Sequence, residues 1–132
     1  MAMKLRVVSP EECVFEGMVA YVAVPSTAGE FGILPHHASE ICTIESGRIR
    51  VSEQQMGVTD RVFAVEDGYV QVANDEVIVL ATRAIDTSKV DVEEVAARLT
   101  DLESQMGKMS ENDGRRAYLY NEIAWCKLLL AQ

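Results

Sequence analysis

Cysteine is scarce in this chain, and its three copies stand far apart at Cys13, Cys42 and Cys126. No Cys-x-x-Cys pair occurs, and an odd number of thiols cannot all be joined in pairs. This pattern disfavours a disulfide framework and a structural zinc site, which both need closely organised cysteines. It is typical of a protein from a reducing compartment such as the cytosol.

Long apolar runs are also missing. No stretch approaches the roughly 20 apolar residues that a helix needs to cross a bilayer. The N-terminus, MAMKLRVVSP, contains neither the apolar core of a signal peptide nor the composition of a transit sequence. We therefore predict no membrane span and no targeting segment, so that the protein stays in the compartment where it is made.

Positive charge is in short supply. The 12 lysines and arginines stand against 21 aspartates and glutamates, which gives a formal net charge of −9. Nucleic-acid phosphates are bound by clustered Lys and Arg rather than by a surplus of carboxylates. The composition therefore predicts no nucleic-acid partner.

Motifs of nucleotide and hydrolase chemistry are absent as well. The sequence contains no GxxxxGK[ST], GxGxxG, GxSxG or HExxH. Glu30, His36 and His37 come nearest to a metal site or an acid/base pair. Adjacent strand residues point to opposite faces, however, and no third ligand is evident. We predict no catalytic residue, no metal site and no cofactor.

The first two thirds of the chain contain a series of short strand patterns. One run places Ile49 and Val51 on one face and arginines on the other. Asn74 and Asp75 predict a tight turn into a nearly continuous apolar run, VIVLA, which is typical of a buried strand. The predicted strands are Lys4–Val8, Met18–Val24, Ile41–Ile44, Arg48–Ser52, Arg61–Val65, Tyr69–Ala73 and Glu76–Ala81. Their number and spacing predict an all-β sandwich or barrel over residues 1–85.

Helical periodicity follows these strands. Ser88 and Asp91 form a capping-box pattern, and Gly107 can end the helix that begins there. The apolar face of this helix is Val92, Val95, Ala96, Leu99, Leu102 and Met106. A second helical pattern runs to about Leu130. Because the link between them is short, we predict an antiparallel helix hairpin over residues 86–132.

The second helix carries more apolar surface than one partner helix can cover. The residues predicted to face the first helix are Ala117, Tyr120, Ala124 and Leu128. The apolar surface continues around the helix through Tyr118, Trp125, Leu129 and Leu130. Large apolar patches are uncommon on free soluble surfaces, so we expect the surplus to rest on the β-domain or on another protein.

The segment Gly29–Ala38, GEFGILPHHA, concentrates glycine, proline and histidine between strand patterns. It predicts a shaped, turn-rich loop in which apolar side chains dock into a core or onto a partner. Glu30 and His37 would then be held at a surface. The alternative is an ordinary packed β-connection whose histidines hydrogen-bond locally.

Motifs along nearly the whole chain occur in a characteristic order. The VVSPEE and FEG stretches precede the glycine-rich segment, and the SGRIRV run and the VIVLA strand follow it. Within the segment the matching residues are Glu30, Gly32, Ile33, Pro35, His37 and Ala38. This set resembles the signature of the epsilon subunit of the F-type proton-translocating ATP synthase. The chain departs from the signature at His36, where family members usually carry glycine.

The resemblance implies both a fold and a role. In that family a sandwich of two small sheets precedes a helix hairpin, and the subunit is a non-catalytic part of the rotor. The sandwich grips the gamma subunit and sits on the membrane-embedded ring of c subunits. This chain would couple proton translocation through the c ring to ATP synthesis, as a peripheral protein on the cytoplasmic face of a bacterial membrane. The implied contact positions are Gly29, Glu30, Phe31 and His37, with His37 at the same end of the sandwich.

The resemblance also implies a regulatory hairpin. In the family the hairpin can fold on the β-domain or extend along gamma into the catalytic head of alpha and beta subunits. There its basic residues meet an acidic loop, and ATP hydrolysis is blocked. The candidates here are Arg115, Arg116 and Lys127, and the alternative is that they form only a solvated helix face.

Some bacterial members bind ATP in the hairpin through an [IL]DxxRA segment. The matching stretch here is Val90–Val95, which puts Glu94 where the family has arginine. A carboxylate repels a triphosphate, although a slightly earlier alignment keeps a positive charge at Lys89. We predict weak or no ATP binding, with Asp91 and Arg98 as the candidate contacts.

A second class of function stays open. The sandwich could stand free and bind a small ligand near Glu30 and His37, with the hairpin as a dimerisation arm. Stable assembly with gamma favours the rotor subunit. Self-association together with tight binding of a small ligand favours the alternative.

Overall fold

A computed structural model describes residues 2–131. They divide into two compact units, one ending at Ser88 and the other beginning at Lys89. The strands of the first unit are β1 (Met3–Val8), β2 (Cys13–Val19), β3 (Tyr21–Ser26), β4 (Gly29–Ile33), β5 (Glu40–Ile44), β6 (Gly47–Ser52), β7 (Arg61–Ala73) and β8 (Glu76–Asp86). A 3-10 turn at Thr87–Lys89 leads to the helices α1 (Val92–Gly107) and α2 (Arg116–Leu130). The predicted fold class, a β-sandwich followed by a helix hairpin, is confirmed.

The strands form one hydrogen-bonded sheet that folds over into two layers. Its order is β2-β1-β8-β7-β5-β3-β4, with β6 paired to both β3 and β7. The long strands β7 and β8 belong to both layers, because β6 pairs with the first half of β7 and β5 with the second half. We call the layer of β2, β1, β8, β7 and β5 the β1 layer. The layer of β4, β3, β6 and the other halves of β7 and β8 is the β3 layer.

The bend between the layers lies at Asp67 and Gly68 in β7. The Asp67 N–H donates to the Ser46 hydroxyl, which donates in turn to the Asp67 carboxylate, both at 3.1 Å. A Cβ built on Gly68 would lie 1.8 Å from the Leu80 carbonyl oxygen. Glycine is therefore required here, because any side chain would force β7 and β8 apart.

Alternating side chains build the core between the layers. Ile49 and Val51 face this core as predicted, while Arg50 points outward. Phe63 is the largest fully buried side chain. Burying a large apolar side chain contributes about 1.5–3 kcal/mol. The buried apolar side chains between the layers are therefore the main source of stability for the first unit.

Three predictions about the strands are wrong. The predicted strands Arg61–Val65 and Tyr69–Ala73 are a single strand, β7, which continues through its bend. The first half of the predicted loop Gly29–Ala38 is strand β4, which pairs with β3 throughout its length. Glycine hides this strand in the sequence, because its stability comes from pairing rather than from its own propensity. The predicted strand Met18–Val24 is two strands that meet at Ala20, and Pro25 lies inside the second of them.

The second unit is an antiparallel hairpin. Arg98 of α1 pairs with Glu122 of α2, and α1 ends at Gly107 as predicted. The cap of α1 is Asp91 rather than Ser88, since the Asp91 carboxylate accepts the Glu94 N–H at 3.2 Å. Within residues 2–131, neither helix has the length and hydropathy to span a membrane.

The predicted inner face of α2 is wrong. Its buried residues are Leu119, Glu122 and Cys126, whereas Tyr120 is 69% exposed. A carboxylate stands on the buried face because Arg98 donates to Glu122 at 2.7 Å. An apolar pattern cannot reveal such a pair, since the buried charge depends on a partner from another helix.

Candidate functional site

The turn between β3 and β4 projects Gly29 into solvent. The Ser26 hydroxyl donates to the Gly29 carbonyl oxygen at 2.6 Å and accepts the Ala28 N–H at 3.3 Å, which closes the turn. Gly29 has a φ of 110°, a conformation that side chains rarely adopt, and a Cβ there would meet no atom within 4 Å. Glycine is needed at this position for its backbone, not for space.

Glu30 is held by an arginine from another strand. The Arg50 guanidinium on β6 donates to both carboxylate oxygens of Glu30, with Nε lying 3.2 Å from Oε2. The two side chains are 45% and 51% exposed for Arg50 and Glu30, so the pair stands at the surface. A molecule that meets Glu30 therefore meets Arg50 as well.

Phe31 and His37 form a separate cluster with two residues of β5. The two rings meet edge to face with centroids 5.3 Å apart. His37 Nε2 lies 2.9 Å from Glu40 Oε1, and the Cys42 thiol donates to Glu40 Oε2 at 3.1 Å. The hydrogen bond from His37, followed by that from Cys42, lowers the pKa of Glu40. The same carboxylate raises the pKa of the Cys42 thiol, which therefore acts as a donor and not as a nucleophile.

The backbone conformation of His36 explains why members of the family that this chain resembles usually carry glycine at this position. Its φ is 67°, in the left-handed region. Its N–H donates to Asp75 Oδ1 at 2.6 Å, and its ring Nδ1 lies 3.3 Å from Asp75 Oδ2. Asp75 and Asn74, both with positive φ, form the predicted tight turn between β7 and β8. The side chain of Asp75 thus holds a non-glycine residue in a conformation that glycine adopts freely.

The four predicted contact residues fall into two places. Gly29 and Glu30 belong to the turn end and outer face of β4, whereas Phe31 packs toward the core. His37 follows the other end of β4 and contacts Phe31. Glu30 and His37 are bonded to Arg50 and Glu40 respectively, and they do not share one cluster.

One exposed apolar surface of the first unit was not predicted from the sequence. The outer face of the β1 layer presents an apolar patch, which consists of Val8, Ile41, Tyr69, Ile78 and Leu80, with Arg6 and Gln71 on either side of Ile78. Ile41 is 70% exposed and Tyr69 is 47% exposed. An open depression of about 460 Å³ adjoins the patch beside Tyr69 and Leu80.

The signal for this patch was present in the VIVLA run. A strand that is apolar on both faces predicts burial on both sides. In β8, however, Val77 and Val79 enter the core while Ile78 and Leu80 stay only partly buried on the outside. Apolar residues at alternate positions of a strand whose other face already fills a core indicate an interaction surface.

Comparison with known proteins identifies the family. The family model described as the beta-sandwich domain of the ATP synthase Delta/Epsilon chain matches residues 2–87. This chain belongs to the ATP synthase delta/epsilon family. As a member, it is a non-catalytic subunit of that complex. The resemblance found in the sequence is confirmed.

Two curated relatives and one solved structure illustrate the similarity to this family. The ATP synthase epsilon chain of Desulforamulus reducens is 37% identical over 115 residues, which cover 86% of this chain and 85% of the relative. The epsilon chain of a Prochlorococcus marinus strain is 34% identical over 115 residues, covering 86% and 82%. A chain of the Euglena gracilis mitochondrial ATP synthase structure has a TM-score of 0.75 at 18% identity, covering 97% and 79%, and supports the fold.

The three basic residues predicted as hairpin contacts, Arg115, Arg116 and Lys127, lie at two places. Arg115 donates to both carboxylate oxygens of Asp113, at 2.9 and 3.1 Å, and lowers the pKa of Asp113 to about 2. Arg116 donates to the Met109 carbonyl oxygen at 3.5 Å. Both arginines therefore stabilise the link between α1 and α2. Lys127 is exposed in the last turn of α2.

The two candidate nucleotide contacts are already engaged. Asp91 caps α1, and Arg98 donates to Glu122. Glu93 and Glu94 occupy the first turn of α1, where they would oppose a phosphate. In the part of the chain that the structure describes, no group of three His, Cys, Asp or Glu side chains could hold a metal ion.

Proposed function

We propose that this chain is a rotor subunit in the central stalk of a proton-translocating ATP synthase. It couples proton movement through the c ring to ATP synthesis in the catalytic head. The observation that carries this proposal, beyond family membership, is the apolar patch on the outer face of the β1 layer. A rotor subunit needs a surface that stays attached while it transmits torque, and no chemistry of its own.

The apolar patch is the proposed docking surface for gamma. Ile41 and Tyr69 stand out from a sheet whose other face already fills the core. Buried apolar surface contributes about 25 cal/mol per Å², whereas exposed ion pairs contribute only about 0.2–1 kcal/mol each. An apolar patch therefore supplies the strength of the attachment, and surrounding polar contacts supply its orientation.

The turn at Gly29 and Glu30 is the proposed contact with the c ring. Gly29 projects from the β3–β4 turn, and Glu30 beside it presents a half-exposed charge. Phe31 and His37 support this strand from the core side through their ring contact. A chain seated on the c ring in this way is a peripheral protein on the cytoplasmic face of a bacterial membrane.

The hairpin is the proposed inhibitor of ATP hydrolysis. Its α2 helix exposes Tyr118 and Tyr120, and Lys127 adds a cation two turns after Tyr120 on the same side of the helix. Exposed tyrosine rings of this kind are more favourably buried in a larger assembly than left in water. Arg115, Arg116 and Lys127 are the residues proposed to meet an acidic loop of the catalytic alpha and beta subunits.

The docking surface can be tested with paired serine substitutions. A catalytic head that contains gamma but lacks epsilon is titrated with the natural chain and with Ile41→Ser/Tyr69→Ser. We expect the variant to bind at least about tenfold more weakly, since each loss removes apolar burial. Met56→Ser/Val58→Ser is the matched control, because these exposed apolar residues lie on the β6–β7 loop. Equal affinity of the patch variant and the natural chain would contradict the proposal.

A further inference from the structure

The pair of Glu30 and Arg50 crosses an intervening strand. Glu30 is on β4 and Arg50 on β6, and β3 lies between them. The residue of β3 opposite Arg50 is Ala23, which is fully buried although it lies on the outer face. A small residue here leaves a shallow groove in which the Arg50 side chain reaches Glu30.

The groove depends on a second small residue. Gly32 on β4 lies opposite Ala23, and a Cβ at Gly32 would come within 2.5 Å of the Tyr21 hydroxyl. The Tyr21 ring therefore lies over Gly32 and walls the groove on the side away from Glu30. Tyr21, Ala23 and Gly32 thus border the groove along which the Arg50 side chain reaches Glu30.

Stability alone gives a weak reason for this arrangement. An ion pair whose two members are about half exposed contributes little to folding. A bidentate arginine, in contrast, fixes both the position and the rotation of a carboxylate. A carboxylate that is already fixed loses less conformational freedom when a partner binds it.

We propose that Arg50 is a positioning residue for Glu30 and that a partner contacts the two as one unit. This inference rests on the proposed contact between Glu30 and the c ring. Each Glu30 oxygen keeps acceptor capacity beyond its bond to Arg50, and the guanidinium keeps unused N–H groups. The fitting partner is a polar loop that both donates to Glu30 and accepts from Arg50, such as one rich in amide groups. A single lysine would satisfy only half of this unit.

The test compares single and double variants of the full chain. Each is titrated into an ATP synthase that keeps gamma and the c ring but lacks epsilon. We expect Glu30→Gln and Arg50→Gln each to weaken binding about three- to tenfold. The double variant should be no weaker than either single one, because residues that act as a unit are not additive. Arg50→Lys should restore binding only partly, since lysine cannot make the bidentate bond.

A matched control separates this unit from a general effect of removing an arginine. Arg83 makes a similar bidentate pair with Glu66 on the same outer face, between β8 and β7. Arg83→Gln should bind like the natural chain, and thermal unfolding of every variant checks the fold. Weaker binding by Glu30→Gln but not by Arg50→Gln would overturn the role of Arg50 alone. If neither variant weakens binding, the proposed c-ring contact of Glu30 fails together with this inference.

Discussion

The two units of this chain differ in how much of their apolar surface they bury. The sandwich encloses a continuous core of aliphatic side chains around Phe63, most of them without exposed surface. Among its described residues, 89–131, the hairpin almost fully buries the apolar Leu102, Leu119 and Cys126, together with the charged Glu122. The sandwich therefore has the properties of a rigid scaffold. The hairpin has those of an element whose conformation a partner can change, because few contacts must be replaced.

The largest expected effect separates the core of the sandwich from its surface. Phe63→Ala should lower the free energy of unfolding of the sandwich by about 3–5 kcal/mol, because it leaves a cavity in a packed core. Urea unfolding followed by circular dichroism measures this loss. Val58→Ala, at an exposed loop position, should change stability by less than about 0.5 kcal/mol. A loss below about 1 kcal/mol for Phe63→Ala would mean that the core is less tightly packed than described.

A smaller effect should be confined to the hairpin. Arg98→Ala removes the hydrogen bond that the buried Glu122 carboxylate accepts from α1 and should destabilise the hairpin by about 1–3 kcal/mol. Hydrogen exchange resolves the two units, and we expect faster exchange in α1 and α2 with unchanged rates in β1 to β8. Lys127→Ala, which removes an exposed cation from the same hairpin, is the control. Equal acceleration in the strands would show that the units unfold together.

The smallest expected effect concerns the link between the helices at acid pH. Arg115 lowers the pKa of Asp113 from 3.8 to about 2 in the folded chain. The unfolded chain therefore binds this proton more readily, so the stabilisation by Asp113 is complete above about pH 4 and is lost as the pH falls toward 2. Asp113→Asn should flatten the pH dependence of hairpin helicity in that window. An unchanged pH profile in the variant would assign the dependence to other carboxylates.

The sequence was sufficient for the order of the elements and for most strand positions. Alternation located β6, and the positive-φ residues Asn74 and Asp75 were correctly assigned to a turn. Strand β4 was missed, since two of its five residues are glycine and its hydrogen bonds depend on β3. A local pattern reports the strand preference of its own residues, whereas β4 is stabilised by its pairing with β3.

The candidate site was predictable only in part. The sequence singled out Glu30, but its partner Arg50 is 20 residues away and meets it across a third strand. The inner face of α2 was misassigned for the same reason, because Glu122 on that face pairs with Arg98 of the other helix. Charged pairs between distant segments decide both features, and neither residue of such a pair carries a periodic signal.

The most direct test of the contrast between scaffold and adaptable hairpin is a chain that ends at Ser88. That boundary keeps the bonds of the Ser88 N–H and hydroxyl to Asp86, at 2.9 and 2.8 Å, which close the end of β8. Binding to a head that contains gamma, and the rate of ATP hydrolysis by the resulting complex, are measured beside those of the full chain. We predict that the shortened chain binds as tightly as the full chain and that hydrolysis is faster. Loss of binding would contradict the account, because it would place the attachment in the hairpin rather than in the sandwich.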